Sequence, residues 1–247
     1  MRIGIDLGGT KIEGILIAAD GQQAARTRFP TPQGDYAATV QAVADLVHDL
    51  DATANTLGCP IPSVGIGIPG TISPVTGLVK NANSVCLIGQ ALDQDIAALI
   101  KRDVRLANDA NCFAVSESHD GAAMGAPVVS GVILGTGVGG GISIGGHPHT
   151  GPNAIAGEWG HNPLPWPSDD ERPGLDCYCG QKGCIETFLS GPGLRTDHYA
   201  QTGDHMDTTE IVAQARRGDG PSEATLRRYE HRLARALASV INVLDPD

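Results

Sequence analysis

The sequence lacks several things that would each point to a different class of protein. No apolar run reaches the length of a membrane span. Basic residues are in the minority, 17 against 28 acidic, and the net charge of −11 leaves no global basic footprint for nucleic acid. There is no G-x-x-x-x-G-K-[ST] phosphate loop. The 33 glycines follow no G-X-Y period, which excludes a collagen. Met1 to Asp6 enter a strand pattern at once, leaving no room for a signal peptide or an N-terminal DNA-binding module. The expectation is therefore a cytoplasmic protein without nucleic-acid or membrane partners.

What is present suits a globular α/β chain. Hydrophobic residues make up 41% of 247, enough for one large domain or two modest ones. Ile3, Ile5 and Leu7 alternate, Gly8-Gly9 turn the chain, and Ile12 to Ile17 resume an apolar run. Val40, Val43, Val47 and Leu50 carry a helical period within 35–57. Val64 to Ile68 read as a buried strand, 92–101 as a helix, and Val104 to Leu106 as a strand that ends at Asn108-Asp109. A helix is expected over 111–124. The opening pattern then returns: Val132 to Leu134, a glycine turn, and Gly141 to Ile144. This weak duplication predicts two similar lobes, 1–108 and 109–247. The stretch 145–183 is rich in Gly, Pro and His and needs something other than regular structure to hold it. Asp207 and Glu210 form a capping-box pattern for a helix to Arg217. A last helix over 223–244 is expected to bury Leu226, Tyr229, Leu233, Leu237, Val240 and Leu244.

Four segments could carry chemistry. Asp6-Leu7-Gly8-Gly9-Thr10-Lys11 combines backbone N–H groups that an anion can approach with a hydroxyl, an ammonium and a carboxylate able to hold Mg²⁺ through water. An ordinary tight hairpin is the alternative. Gly135-Thr136-Gly137-Val138-Gly139-Gly140 formally matches a dinucleotide fingerprint, but that turn must open a helix, and here a strand follows. A second phosphate-binding hairpin fits better. Asn108-Asp109-Ala110-Asn111 closes a strand, where α/β proteins place ligands. Asp109 there is either a base that accepts a hydroxyl proton or a helix N-cap. Finally, Cys177, Cys179 and Cys184 crowd into eight residues, and His161 supplies a fourth donor. One imidazole and three thiolates make a closed tetrahedral set that suits structural Zn²⁺. Glu158 and Glu186 flank it and could read sugar hydroxyls, and His161 could bind metal through one nitrogen while the other faces substrate. His147 and His149 are read as loop histidines, and Cys59, Cys86 and Cys112 as buried free thiols.

Together these motifs, with Glu158-Trp159-Gly160-His161, resemble the ROK family of sugar kinases and related repressors, from residue 3 to the last residue. Finer features resemble its bacterial fructokinase (manno-fructokinase) branch. They are Lys80-Asn81-Ala82-Asn83-Ser84, Val104 to Asp109, Gly160 to Trp166 and Cys184-Ile185-Glu186-Thr187-Phe188. The N-acetylglucosamine kinase branch shares many of them.

The resemblance implies a two-lobed actin-like (ribonuclease H-like) α/β fold with an interlobe cleft, assembled as a homodimer. It implies ATP-dependent phosphorylation of a hexose, fructose to fructose 6-phosphate first, with N-acetylglucosamine, glucose or mannose as alternatives. By position, Asp109 is the base. Asn83, Asn108, Asp109, Glu158, His161 and Glu186 bind sugar. Asp6, Gly8, Gly9, Thr10, Lys11, Gly135, Thr136 and Gly137 bind MgATP, and His161, Cys177, Cys179 and Cys184 hold zinc. Two departures stand out. Fifteen residues separate His161 from Cys177, and the family's closing strand, Gly-rich turn and helices are expected after Leu244-Asp245-Pro246-Asp247. The C-terminal part is thus expected to be missing, and a non-catalytic sugar sensor or an inactive fragment is the competing reading.

Overall fold

The computed structural model describes residues 1–82 and 84–247. Asn83, expected among the sugar-binding residues, lies outside the described residues. The chain divides into two compact units, one of residues 1–112 with 151–154, the other of 113–150 with 155–247.

The first unit is built on a five-stranded sheet. Its strands are β1 (Arg2–Leu7), β2 (Lys11–Ile17), β3 (Gln23–Pro30), β4 (Ser63–Ile68) and, two short strands later, β7 (Val104–Asn108). Their order is β3-β2-β1-β4-β7. The first three are antiparallel neighbours, while β1–β4 and β4–β7 are parallel. The helices α1 (Tyr36–Thr56) and α2 (Leu92–Ile100) belong to this unit. The carboxylate of Asp35 accepts the N–H of Ala38 and caps α1. Ile3, Ile5 and Leu7 of β1, Ile12 and Leu16 of β2, and Val43, Leu46 and Leu50 of α1 share one core. Fully burying each such side chain is worth about 1.5–3 kcal/mol. Gly14 lets α1 approach β2 this closely, since a Cβ there would stand 2.9 Å from Leu50 Cδ1 and 3.0 Å from Leu46 Cγ. The short strands β5 (Thr71–Ile72) and β6 (Val79–Lys80) pair with each other.

The second unit begins inside α3 (Asp109–Asp120). Its sheet has three antiparallel strands, β8 (Val128–Leu134), β9 (Val138–Ile144) and β10 (His147–Pro148), in the order β10-β9-β8. Four helices follow, α4 (Ile185–Leu189), α5 (Gly191–Thr202), α6 (Thr208–Arg216) and α7 (Gly220–Leu244). Val138, Trp159, Leu164, Ile185, Phe188, Leu189 and Ala236 form the core of this unit.

Several expectations are corrected here. The helix after Asn108 starts two residues earlier than expected and ends at Asp120. The last helix starts at Gly220, because Asp219 accepts the Ser222 N–H at 3.0 Å and Pro221 suits a first turn. Its apolar stripe is only half-buried; the fully buried positions are Ser222, Thr225, Arg232 and Ala236. Asp207 makes no side-chain cap on α6, and its carboxylate pairs instead with Arg195 at 3.2 Å. Cys59 and Cys86 are half-buried and Cys112 is exposed, so none of the three is a core thiol. Among the described residues, no helix is long and apolar enough to cross a membrane.

The loop between His161 and Cys177 is held by charge. Ser168 and Glu171 form a reciprocal capping box around the short turn Asp169–Glu171. The buried Glu171 carboxylate takes both Arg232 Nε and Arg235 at 2.8 Å. Arg232 also reaches Asp197 at 2.8 Å, and Asp197 is shared with Arg228 at 2.7 Å. A buried arginine on α7 is thus fully paired, and the Pro- and acid-rich loop is fastened to that helix.

Candidate functional site

In the first unit, the turn between β1 and β2 is drawn tight by the Gly8 N–H to the Lys11 carbonyl, 3.0 Å. Thr31, just beyond β3, braces it: its hydroxyl donates to the Gly8 carbonyl at 2.6 Å and its N–H to the Thr10 carbonyl at 3.1 Å. Gly9 and Thr10 are exposed. Lys11 Nζ lies 3.6 Å from Glu13, which also receives Arg26 and Arg28 from β3. Neither Thr31 nor the role of Glu13 was foreseen, because only the β2–β3 pairing brings Thr31 to the turn and Arg26 and Arg28 to Glu13.

The structure separates Asn108 from Asp109 in role. Asn108 Oδ1 accepts the Asn111 N–H at 3.1 Å, so Asn108 caps α3. Its Nδ2 donates to the Gly70 carbonyl at 3.2 Å, across the β4–β7 pairing that puts Ile68 beside Asn108. Each group keeps a further hydrogen-bonding position for a ligand. Asp109 is thereby released from capping. Its carboxylate accepts the Ala110 N–H at 2.8 Å and remains accessible to solvent. Burial of part of its surroundings and the nearby charge of Asp6 raise its pKa, against the Ala110 hydrogen bond. Burial likewise raises that of Asp6, opposed by Lys11. An accessible carboxylate at a strand's carboxyl end, with proton affinity above the ordinary value, can take a proton from a bound hydroxyl.

In the second unit, the turn between β8 and β9 is closed by the Gly135 N–H to the Gly137 carbonyl, 2.9 Å. The Gly135 carbonyl accepts the Gly191 N–H at 2.8 Å, tying the turn to the start of α5. A hollow of about 380 Å³ opens beside it, lined by Gly135, Thr136, Ser190, Gly191, Arg195 and Thr208 among others. Gly139 and Gly140 serve another purpose. The Trp159 indole donates to the Gly139 carbonyl at 2.8 Å, and a Cβ on Gly140 would meet that ring at 2.8 Å. The glycine run is therefore partly a bed for Trp159, which seats the Glu158–His161 turn on β9.

His161, Cys177, Cys179 and Cys184 converge, with their donor atoms all within 4.8 Å of one another. His161 Nδ1 faces Cys177 Sγ at 3.6 Å, and the Cys179 and Cys184 sulfurs are also 3.6 Å apart. Burial pushes the Cys177 thiol up and the Cys184 thiol to about 12, while the Gln181 N–H lowers Cys179. Buried thiols of this kind ionise only with a cation beside them, and these four residues could hold one. The other imidazole nitrogen, Nε2, stands 2.9 Å from the Tyr178 hydroxyl. Tyr178 lies between two of the thiols in sequence, which was the one available sign of its place. Glu186, one residue into α4, accepts the Val138 N–H at 2.8 Å.

The sequence profile described as "ROK family" matches residues 2–247. The chain belongs to the ROK family. Among curated ROK relatives, it is 40% identical to the N-acetyl-D-glucosamine kinase of Yersinia enterocolitica over 250 residues, covering 100% of this chain and 81% of that protein. It is 42% identical to the N-acetyl-D-glucosamine kinase of Escherichia coli O139:H28 over 252 residues, covering 100% and 82%. Among solved structures, the ROK hexokinase from Thermus thermophilus superposes with a TM-score of 0.84 at 28% identity, over 99% of this chain and 78% of that one. A ROK glucokinase from Streptomyces griseus, in complex with glucose and AMPPNP, gives 0.79 at 28% identity, over 99% and 80%. The actin-like α/β fold and the sugar-kinase class expected from the motifs agree with these matches. The finer expectation of a fructokinase does not find the same support, since these two curated relatives carry the N-acetylglucosamine name.

Proposed function

We propose that this ROK-family sugar kinase transfers the γ-phosphoryl group of ATP to a hydroxyl of N-acetyl-D-glucosamine, with Asp109 as general base. The observation that carries the reading is the division of labour between Asn108 and Asp109. Asn108 caps α3, so the Asp109 carboxylate is left accessible at the end of β7 with a raised pKa. The choice of sugar rests on the relatives' names at 40–42% identity, which favours the N-acetylated sugar over fructose.

In this reading the sugar hydroxyl loses its proton to the Asp109 carboxylate as its oxygen bonds to the γ-phosphorus, and the bond to the ADP oxygen breaks. Asn108, Glu158 and Glu186 hold the other hydroxyls, while His161, with Nδ1 at the thiol cluster and Nε2 on the Tyr178 hydroxyl, loses its expected place among them; Asn83 keeps its own on resemblance alone. The turns Gly8 to Lys11 and Gly135 to Gly137 take the phosphates through backbone N–H groups other than those of Gly8 and Gly135, which close the turns, with Thr10 and Thr136 hydroxyls as further donors. Mg²⁺ bound with ATP would neutralise phosphate charge, and Asp6 is the carboxylate placed to orient its waters. The metal of the thiol cluster is zinc in this reading. A tetrahedral site with Zn–S near 2.3 Å would have sulfurs about 3.8 Å apart, against 3.6 Å between Cys179 and Cys184. Four protein donors leave no open position, so its role is to fix the Glu158–His161 and Cys177–Glu186 segments.

The test is MgATP-dependent turnover with N-acetylglucosamine, fructose, mannose and glucose at equal concentrations. The highest kcat/KM is expected for N-acetylglucosamine. A preference for fructose would restore the expectation drawn from the motifs, and no turnover with sugar binding retained would favour a sensor.

A further inference from the structure

Glu186 belongs to two neighbourhoods at once. It follows the thiol cluster by two residues, on the first turn of α4, where the reading above gives it a sugar hydroxyl. Yet its Oε2 is already engaged, accepting the backbone N–H of Val138 at 2.8 Å. Val138 is the first residue of β9, directly after the turn Gly135–Gly137. The fit is close. A Cβ on Gly137 would stand 2.6 Å from Glu186 Oε2, so glycine at 137 is what admits the carboxylate. A second tie joins the same turn to the start of α5, just beyond α4, through the Gly191 N–H to the Gly135 carbonyl at 2.8 Å.

We propose that Glu186 is a positioning residue for the phosphate-binding turn, and that it couples the sugar subsite to the nucleotide subsite within the second unit. Oε2 holds Val138 N–H and so fixes the direction in which the Gly135–Gly137 backbone presents its donors. Oε1 is the oxygen a sugar hydroxyl meets. A charge-assisted hydrogen bond from a backbone N–H is directional and strong, and its loss lets the turn relax. Because binding linkage is reciprocal, a group shared in this way must transmit in both directions. The inference rests on the proposed sugar and phosphate subsites.

The experiment is a crossed one on the full chain. The affinity for MgAMPPNP is measured without sugar for wild type, Glu186→Ala and Glu186→Gln, and the affinity for N-acetylglucosamine without nucleotide for wild type and Gly137→Ala. Zinc content and melting temperature establish that each variant is folded. Glu186→Ala is expected to weaken nucleotide binding by on the order of tenfold, while Glu186→Gln, whose amide oxygen can still accept from Val138, recovers most of it. Gly137→Ala, which adds a methyl group against Oε2, is expected to weaken sugar binding severalfold. A residue that only read sugar would leave MgAMPPNP affinity untouched in Glu186→Ala. That outcome, or unchanged sugar affinity in Gly137→Ala, overturns the proposal. Failure of the kinase reading shows separately, as absence of sugar turnover in the wild type.

Discussion

The imidazole of His161 is held at both nitrogens: Nδ1 faces the Cys177 sulfur at 3.6 Å, and Nε2 meets the Tyr178 hydroxyl at 2.9 Å. The two rings also touch edge to face, with centroids 5.1 Å apart. In the proposed reading, a zinc ion held by Nδ1 would leave the ring proton on Nε2, where the Tyr178 hydroxyl accepts it. Such an outer partner fixes a ligand's tautomer and orientation, and its loss commonly costs 10- to 100-fold in metal affinity or activity. Tyr178→Phe is therefore expected to lose zinc at roughly tenfold lower chelator concentration. Equal zinc retention by wild type and variant would show that the hydroxyl does not orient His161.

The Glu171 cluster makes a prediction about acid. Burial opposes ionisation of this carboxyl, but Arg232, the Ser168 N–H and Arg235 outweigh it and hold the pKa down to about 2 from an ordinary 4.5. The folded value lies below the unfolded one, so the stabilisation is complete above pH 4.5 and is lost as pH falls through 4.5 towards about 2. At about 1.4 kcal/mol per pH unit it amounts to on the order of 3 kcal/mol. Glu171→Gln should lower the urea midpoint at neutral pH, and the gap from wild type should narrow across that window. A gap independent of pH would assign the loss to packing rather than charge.

Asp109 has the opposite sign. Its folded pKa is raised above 3.8 by burial and Asp6, so its charge destabilises the fold increasingly as pH climbs from 3.8 through the folded value. Asp109→Asn is expected to raise the melting temperature at pH 7, with the gain vanishing below pH 3.8. The acid limb of wild-type kcat/KM should also lie above 3.8. A variant that melts below wild type at pH 7 would mean that the carboxylate is structurally required.

Gly14 tests the packing of α1 on β2. An added methyl group meets Leu50 Cδ1 at 2.9 Å and Leu46 Cδ2 at 3.0 Å, well inside the core. Gly14→Ala is expected to cost about 1–3 kcal/mol by overpacking, read from chemical denaturation. Neutral stability would mean that α1 can shift outward without loss.

What the sequence could show follows from where its information is local. Ile3, Ile5 and Leu7 alternate because one face of β1 is buried, and Val40 to Leu50 keep a helical period because α1 buries one stripe. The His/Cys cluster was legible because three thiols lie within eight residues. By contrast, β3 went unread. It is an edge strand with no fully buried residue, its arginines face Glu13, and it ends in proline. Arg232 could not be placed inside the protein from its charge alone, because its partners Glu171 and Asp197 lie 61 and 35 residues away. That Asn108 rather than Asp109 caps α3 was visible only in the folded geometry.

The central claim is that the Asp109 carboxylate accepts the proton of the sugar hydroxyl. Single-turnover rates with saturating MgATP and N-acetylglucosamine, for wild type and Asp109→Asn, test it most directly. The account predicts a fall on the order of 10²–10⁴-fold in the chemical step, with sugar affinity largely retained. A variant that turns over as fast as wild type would contradict it.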